Sequence, residues 1–183
     1  MFGLVAKWRR RADRIAELAH RLDRLAERDE QVIAETESVE AARRRGAAAL
    51  HSFCVEFTKR LNAEMTRAEL KLVPSEFDLK VYREDGPNLI QMSLRGRIVQ
   101  VQYEAPARTV SNEYFRHPYI LQGQITGFNQ TLLEQDLVEE EMLFYARDGK
   151  SNGAYRWHYF EPRTYQTGLV SERYLTDLFG RLA

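Results

Sequence analysis

The chain has 183 residues, 44% of them hydrophobic and 30% charged, which excludes a disordered polymer and bounds the protein to one domain with a sizeable core plus a charged helical appendage. Lysine plus arginine and aspartate plus glutamate each number 27, so no global field draws nucleic acid or an anionic membrane, and any such binding has to be local. Cys54 is the only cysteine, which excludes an intrachain disulfide and fits a reducing cytoplasm best.

At the N-terminal end, Leu4, Trp8, Ile15, Leu18, Leu22, Leu25, Val32 and Val39 fall on a heptad register whose other seam positions are Arg11, Asp29 and Thr36. This is a coiled-coil pattern, strongest between Ile15 and Leu25, in which the polar seam residues lower stability while fixing register and partner. Lys7, Arg9, Arg10 and Arg11 break up the first apolar residues, so neither a signal peptide nor a membrane span is expected there. A straight helix over 4–72 would be roughly 100 Å long at about 1.5 Å per residue, more than a sheet domain can cover. The narrow stripe therefore needs a second helix, supplied by a hairpin near Asp29 or Gly46 or by another copy of the chain.

Residues 50–72 carry a broader stripe: Leu50, Phe53, Cys54, Phe57, Leu61, Met65, Ala68 and Leu72 recur every three or four positions. Two phenylalanines one turn apart need a wide apolar partner, so this helix is expected to lie across a sheet, with Pro74 closing the helical region. Beyond it the period changes to two. Phe77, Leu79 and Val81 alternate with polar neighbours, as do Ile90, Met92 and Leu94, then Val99, Val101 and Tyr103, then Tyr119, Leu121 and Ile125. Turn signals at 84–88 and Gly96 and a polar loop over 106–118 separate these runs. Residues 129–137 read as either a short helix or an irregular link.

Arg147-Asp148-Gly149-Lys150-Ser151-Asn152-Gly153 is the clearest hairpin signal, joining aromatic-rich arms over 139–146 and 154–161. Ser171 caps a final helix, Val170 can staple onto Leu175, and Leu178, Phe179 and Leu182 continue its apolar side. The expected fold is α+β: a long N-terminal coiled-coil-like helical region packed onto a mostly antiparallel sheet of about five or six strands, with a C-terminal helix. The helical extension is placed at 1–46 and the α+β domain at 47–183.

Phosphate-loop, dinucleotide-fingerprint, His-Glu-x-x-His, paired-cysteine and Gly-x-Ser-x-Gly signatures are all missing from the sequence, which argues against an enzyme and against a cofactor or metal. Asp78 and Lys80 on one strand make half of a metal-dependent nuclease pattern without the rest. His51 and Cys54 share a helix face but lack the further ligands that zinc needs. His158, across the hairpin from Glu139, Glu140 and Glu141, is placed for a His–Glu proton-transfer pair, or for a structural hydrogen bond. His117 before Pro118 has no sharper reading.

Gln91, Gln100, Gln102, Gln122 and Gln124, with Arg95 and Arg97 near a turn, would share the polar face of the sheet, where amides that both donate and accept suit a polar partner. The arginine triplets 9–11 and 43–45 invite phosphate contacts. However, three consecutive helix residues spread around more than half the circumference, so a triplet makes no stripe, and nearby acids partly neutralise it. Insertion of Phe2, Leu4, Val5 and Trp8 into a membrane surface is equally short of support.

The function expected is therefore a non-enzymatic interaction or scaffold protein. Trp8, Ile15, Leu18, Leu22 and Leu25 drive homo-oligomerisation, most simply a dimer, and the sheet presents its polar face to a partner. The alternative is a small-molecule-binding or hydrolytic domain whose pocket between helix and sheet is lined by Trp157, His158 and Tyr159 and served by Glu141. Nucleic-acid binding through the N-terminal arginines ranks third.

Overall fold

The computed structural model describes residues 2–107, 111, 115, 117–130, 138–148 and 154–182, and for 2–16, 31–34 and 138 the backbone alone. The chain divides into two compact units, Met1–Ala41 and Ala42–Ala183. Helix α1 (Phe2–Glu64) supplies the first unit and opens the second. In the first its backbone passes Asp29 without a turn, and in the second it passes Gly46 in the same way.

Seven strands follow: β1 (Lys71–Val73), β2 (Asn88–Leu94), β3 (Arg97–Glu104), β4 (Tyr119–Asn129), β5 (Val138–Arg147), β6 (Tyr155–Glu161) and β7 (Gln166–Leu169), and helix α2 (Glu172–Leu182) ends the chain. Each strand pairs antiparallel with the next, so the sheet is a single meander in sequence order. The class is the α+β arrangement expected, with seven strands in place of five or six. No helix among the described residues is long and apolar enough to cross a membrane.

Local chemistry accounts for the differences. The strand expected at Phe77 does not form. Asp78 instead accepts the Lys80 amide on its carboxylate at 2.8 Å and the Val81 and Tyr82 amides on its carbonyl at 3.0 and 3.2 Å, a side-chain-held turn that overrides the alternation. The helical stripe expected to reach Leu72 stops at Glu64. Asn62 clamps the returning chain, donating to the Leu70 carbonyl at 2.9 Å and accepting the Leu70 amide at 2.7 Å, and the residues that follow become β1. Strand β7 forms behind a turn that the Glu161 carboxylate holds through the Arg163 amide and the Thr164 hydroxyl.

The β2–β3 connection is a two-residue turn in which Arg95 and Gly96 have φ of 45° and 83°, a hairpin geometry that glycine favours. The tip of the β5–β6 hairpin and residues 131–137 lie outside the described residues.

Strand parity sends Ile90, Met92, Val99, Val101, Leu121, Ile125 and Leu143 to the helix side of the sheet, all buried. Ala47, Leu50, Cys54 and Phe57 of α1 and Tyr174, Leu175, Leu178 and Leu182 of α2 fill the opposing layer. Burial pushes the Cys54 thiol up to about 12, so it behaves as a core hydrophobe. Ser171 accepts the Tyr174 amide at 3.3 Å as the cap of α2. At the other end of α2, Asn129 and Arg97 both donate to the Leu182 carbonyl at 3.0 Å.

Gly46 is where α1 meets the sheet most closely. A Cβ there would lie 2.5 Å from Tyr145 Cε1, and beside it the Trp157 indole donates to the Gly46 carbonyl at 2.8 Å. Tyr145 cannot easily yield, since Trp157 and Tyr155 flank its ring at 5.2 and 5.5 Å.

Alanine at 46 would gain about 1 kcal/mol of helix propensity against an overpacking cost of about 1–3 kcal/mol. Gly46→Ala is therefore expected to destabilise the protein by about 1 kcal/mol net, seen as a lower urea midpoint at unchanged slope. An unchanged or higher midpoint would show that Tyr145 has room to move.

Candidate functional site

On the side of the sheet away from the helices, the register pairs Gln91 with Gln100, Gln102 with Gln124 and Glu104 with Gln122, so the five glutamines share one face. Gln100 donates to Gln91 at 2.8 Å and Gln122 to Glu104 at 3.3 Å. A shallow depression of about 270 Å³ lies over Gln102, Gln122 and Gln124, walled by Met142 and Phe144. Arg95 and Arg97 are not on this surface. The turn directs Arg95 to the Arg67 carbonyl at 2.7 Å, and Arg97 has the parity of Val99 and reaches the end of α2.

Trp157 and His158 are adjacent on β6 and therefore point to opposite sides of the sheet. Trp157 is sealed against Gly46. His158 stands opposite Phe144 with Phe115 at 5.4 Å, in an aromatic patch that covers the outer side at this end. Burial lowers its pKa against an opposing pull from Asp148, with His117 and Arg156 adding to the fall. One pocket cannot be lined by both Trp157 and His158, and the His158–Glu141 pair does not form, because Glu141 shares the helix side with Ile125.

Of the arginine triplets, the side chains at 9–11 lie outside the described residues. Arg43 is committed internally, donating to the Ile120 and Pro106 carbonyls at 3.0 and 2.7 Å, while Arg44 pairs with Glu84 at 3.0 Å. In the first unit, Leu18, Leu22 and Leu25 are 54%, 55% and 46% exposed, and every residue over 17–30 is exposed. The side chains of Trp8 and Ile15 fall outside the described residues.

The most developed polar site lies between α2 and strands β5–β7, beside a cleft of about 600 Å³. Glu139 and Glu141 stand opposite Gly127 and Ile125 on the helix side of the sheet. From α2, Arg181 bonds Glu141 Oε1 at 2.6 Å and Glu139 Oε2 at 3.3 Å. Arg163, from the β6–β7 turn, bonds the same Glu139 oxygen at 2.7 Å and Glu161 at 2.9 Å. Tyr159 and Tyr174 stack at 4.3 Å along one wall.

Glu141 is 2% exposed, and the buried Tyr174 hydroxyl donates to its carboxyl. Burial raises the Glu141 pKa, with Tyr174 and Arg181 offsetting part of the rise. Glu161 is the converse case, held down to about 2 by Thr164 and Arg163. Among the described residues no group of three or more His, Cys, Asp or Glu is placed to hold a metal ion.

The sequence reading reached Glu141 only through the wrong partner. The available signal was parity: Glu139 and Glu141 alternate in phase with Leu143 and Tyr145, which sends carboxylates toward the core and calls for cations from another element. No known protein family, curated protein or solved structure matches the chain.

A carboxyl whose pKa is raised on folding stabilises fully below the ordinary value of 4.5, and that stabilisation is lost as the pH rises through the folded-state value. Glu161 contributes with the opposite sign, losing its stabilisation as the pH falls toward 2, but this term is common to the wild type and Glu141→Gln and cancels. The melting temperature of Glu141→Gln minus that of the wild type is therefore expected to rise as the pH is raised above 4.5. A difference independent of pH would mean that Glu141 titrates as an ordinary carboxylate.

Proposed function

We propose that the protein is a non-enzymatic, self-associating interaction protein. A homodimer forms through Leu18, Leu22 and Leu25 of α1, extended by Ile15 and Trp8, and the sheet unit presents its glutamine face to a polar partner. The observation that carries this reading is the exposure of three leucines at heptad spacing, between 46% and 55% each, on a stretch where 17–30 has no buried side chain. Helices lacking a packed face are marginal in water, and a narrow apolar stripe flanked by charge is what a second helix of the same kind covers.

A second reading, a small-molecule-binding domain, is favoured by the cleft of about 600 Å³ beside Glu141, walled by the stacked Tyr159 and Tyr174 rings. Nucleic-acid binding loses support from the internal commitment of Arg43 and the pairing of Arg44 with Glu84.

Light scattering coupled to size exclusion tests the first reading. Burying a leucine contributes about 1.5–3 kcal/mol, so Leu18→Asp with Leu22→Asp removes roughly 6 kcal/mol or more across a dimer, on the order of 10⁴-fold in affinity. The double variant is expected to run as a monomer at concentrations where the wild type is a dimer, with its sheet circular dichroism unchanged. An oligomeric double variant, or a monomeric wild type, would overturn this reading.

A further inference from the structure

The seam of α1 carries two charges, and their places decide how a second copy can lie along it. The apolar spacing alternates steps of four and three, which puts Ile15, Leu22 and Asp29 at a positions and Arg11, Leu18 and Leu25 at d positions. All six lie on helical backbone within the first unit. No turn interrupts the helix there, so α1 does not fold back to cover its own seam.

Parallel helices in register stack a on a and d on d. Arg11 would then face Arg11 and Asp29 would face Asp29, two like-charge layers bracketing a short apolar stretch. Sliding a parallel pair by whole heptads gives no remedy, because a d position never comes level with an a position. Antiparallel helices stack a on d instead, and the two-fold axis between identical chains makes each such layer occur twice. In one register Arg11 comes level with Asp29 of the other copy at both ends. Between the charge pairs Ile15 meets Leu25 and Leu18 meets Leu22, so every inner layer is apolar. A shift of one heptad sets Asp29 against Leu4 in one direction and against Leu18 in the other.

The edges of the seam fit the same register. Along one edge Ala19 meets Ala19 and Ala12 meets Ala26, small residues that let two helices approach closely. The other edge brings Arg14, Arg21 and Arg28 of the two copies near one another. Those are rim charges that solvent screens, and Glu17 stands one turn before Arg21. Their repulsion is smaller than that of like charges enclosed in the seam.

We propose that the occupant of this face is a second copy of the chain lying antiparallel, with Arg11 of each copy level with Asp29 of the other and Leu18 against Leu22. The inference rests on the self-association reading and adds orientation and register. The same two charges that draw an antiparallel copy reject a parallel one, which is how a seam selects its partner.

Two measurements on the full chain test it. Ser38 is exposed and Cys54, the one natural thiol, is buried, so Ser38→Cys takes a nitroxide label selectively. In the proposed register position 38 of one copy is level with position 2 of the other, an axial offset of about 54 Å at about 1.5 Å per residue. Pulsed dipolar EPR is expected to read about 55–60 Å, against about 20–30 Å for a parallel pair, and a one-heptad shift would move the value by about 10 Å. Charge exchange on the unlabelled chain, read by light scattering after size exclusion, gives the register independently of the label. Arg11→Asp and Asp29→Arg each set like charges opposite one another at both ends and are expected to weaken the dimer at least about tenfold. The double exchange is expected to recover wild-type affinity to within about threefold.

The shorter distance, or a distance displaced by a heptad, would overturn the register while leaving self-association standing. Single exchanges without effect, or a double exchange without recovery, would do the same. A wild type that stays monomeric at every concentration would overturn the register and the self-association reading together.

Discussion

The seating of α1 on the sheet at Gly46 is the contact on which the second unit depends. A helix carbonyl ordinarily serves one amide four residues on, and here the Gly46 carbonyl also takes the Trp157 indole at 2.8 Å. That is possible only because the residue has no side chain to hold the Tyr145 ring away. The bond satisfies the one polar atom of a large aromatic that would otherwise be buried unpaired. It also fixes where the apolar residues Ala47, Leu50, Cys54 and Phe57 fall over the strands. Arg43, one turn earlier, donates to the carbonyls of Pro106 and of Ile120 in β4, so the sheet-bound part of the helix is pinned by polar anchors where it begins and by apolar packing beyond them.

The far end of the same layer is held in a different way. Helix α2 presents a full apolar side, yet its last turn is fastened by charge: Arg181 to Glu139 and Glu141, and Asn129 and Arg97 to its final carbonyl. Ion pairs that take a carboxylate as buried as Glu141 out of water are costly to assemble. Burial outweighs the Tyr174 hydrogen bond and Arg181 at Glu141, so its carboxyl is held above the usual range. On the other side of the sheet the glutamine face is bonded in part within itself, Gln100 to Gln91 and Gln122 to Glu104.

Much of the fold was legible in the sequence because its signals were long and periodic. The three-and-four spacing through Phe57, the alternations around Met92, Val101 and Leu121 and the Ser171 cap each correspond to an observed element. The misses were short and set by single polar side chains. Asp78 turned an alternating run into a turn, and Asn62 ended a helix whose apolar period continued to Leu72. The three-residue β1 and four-residue β7 are too brief for any period to register. The cleft was partly visible, since Tyr159 and Glu141 were both singled out. Their grouping with Trp157 and His158 failed because neighbours on a strand face opposite ways, and Arg163 and Arg181 come from a turn and a helix that no local pattern links to β5.

The central claim is a division of labour along α1, with self-association in the first unit and packing on the sheet in the second. Amide hydrogen exchange of the full chain, followed by mass spectrometry over a range of protein concentrations, separates the two directly. If a second copy covers 17–30, as proposed, amides there should gain protection as concentration rises, while those over 47–57 should be protected equally at every concentration. Concentration-independent exchange over 17–30, or protection over 47–57 that appears only with association, would contradict the account.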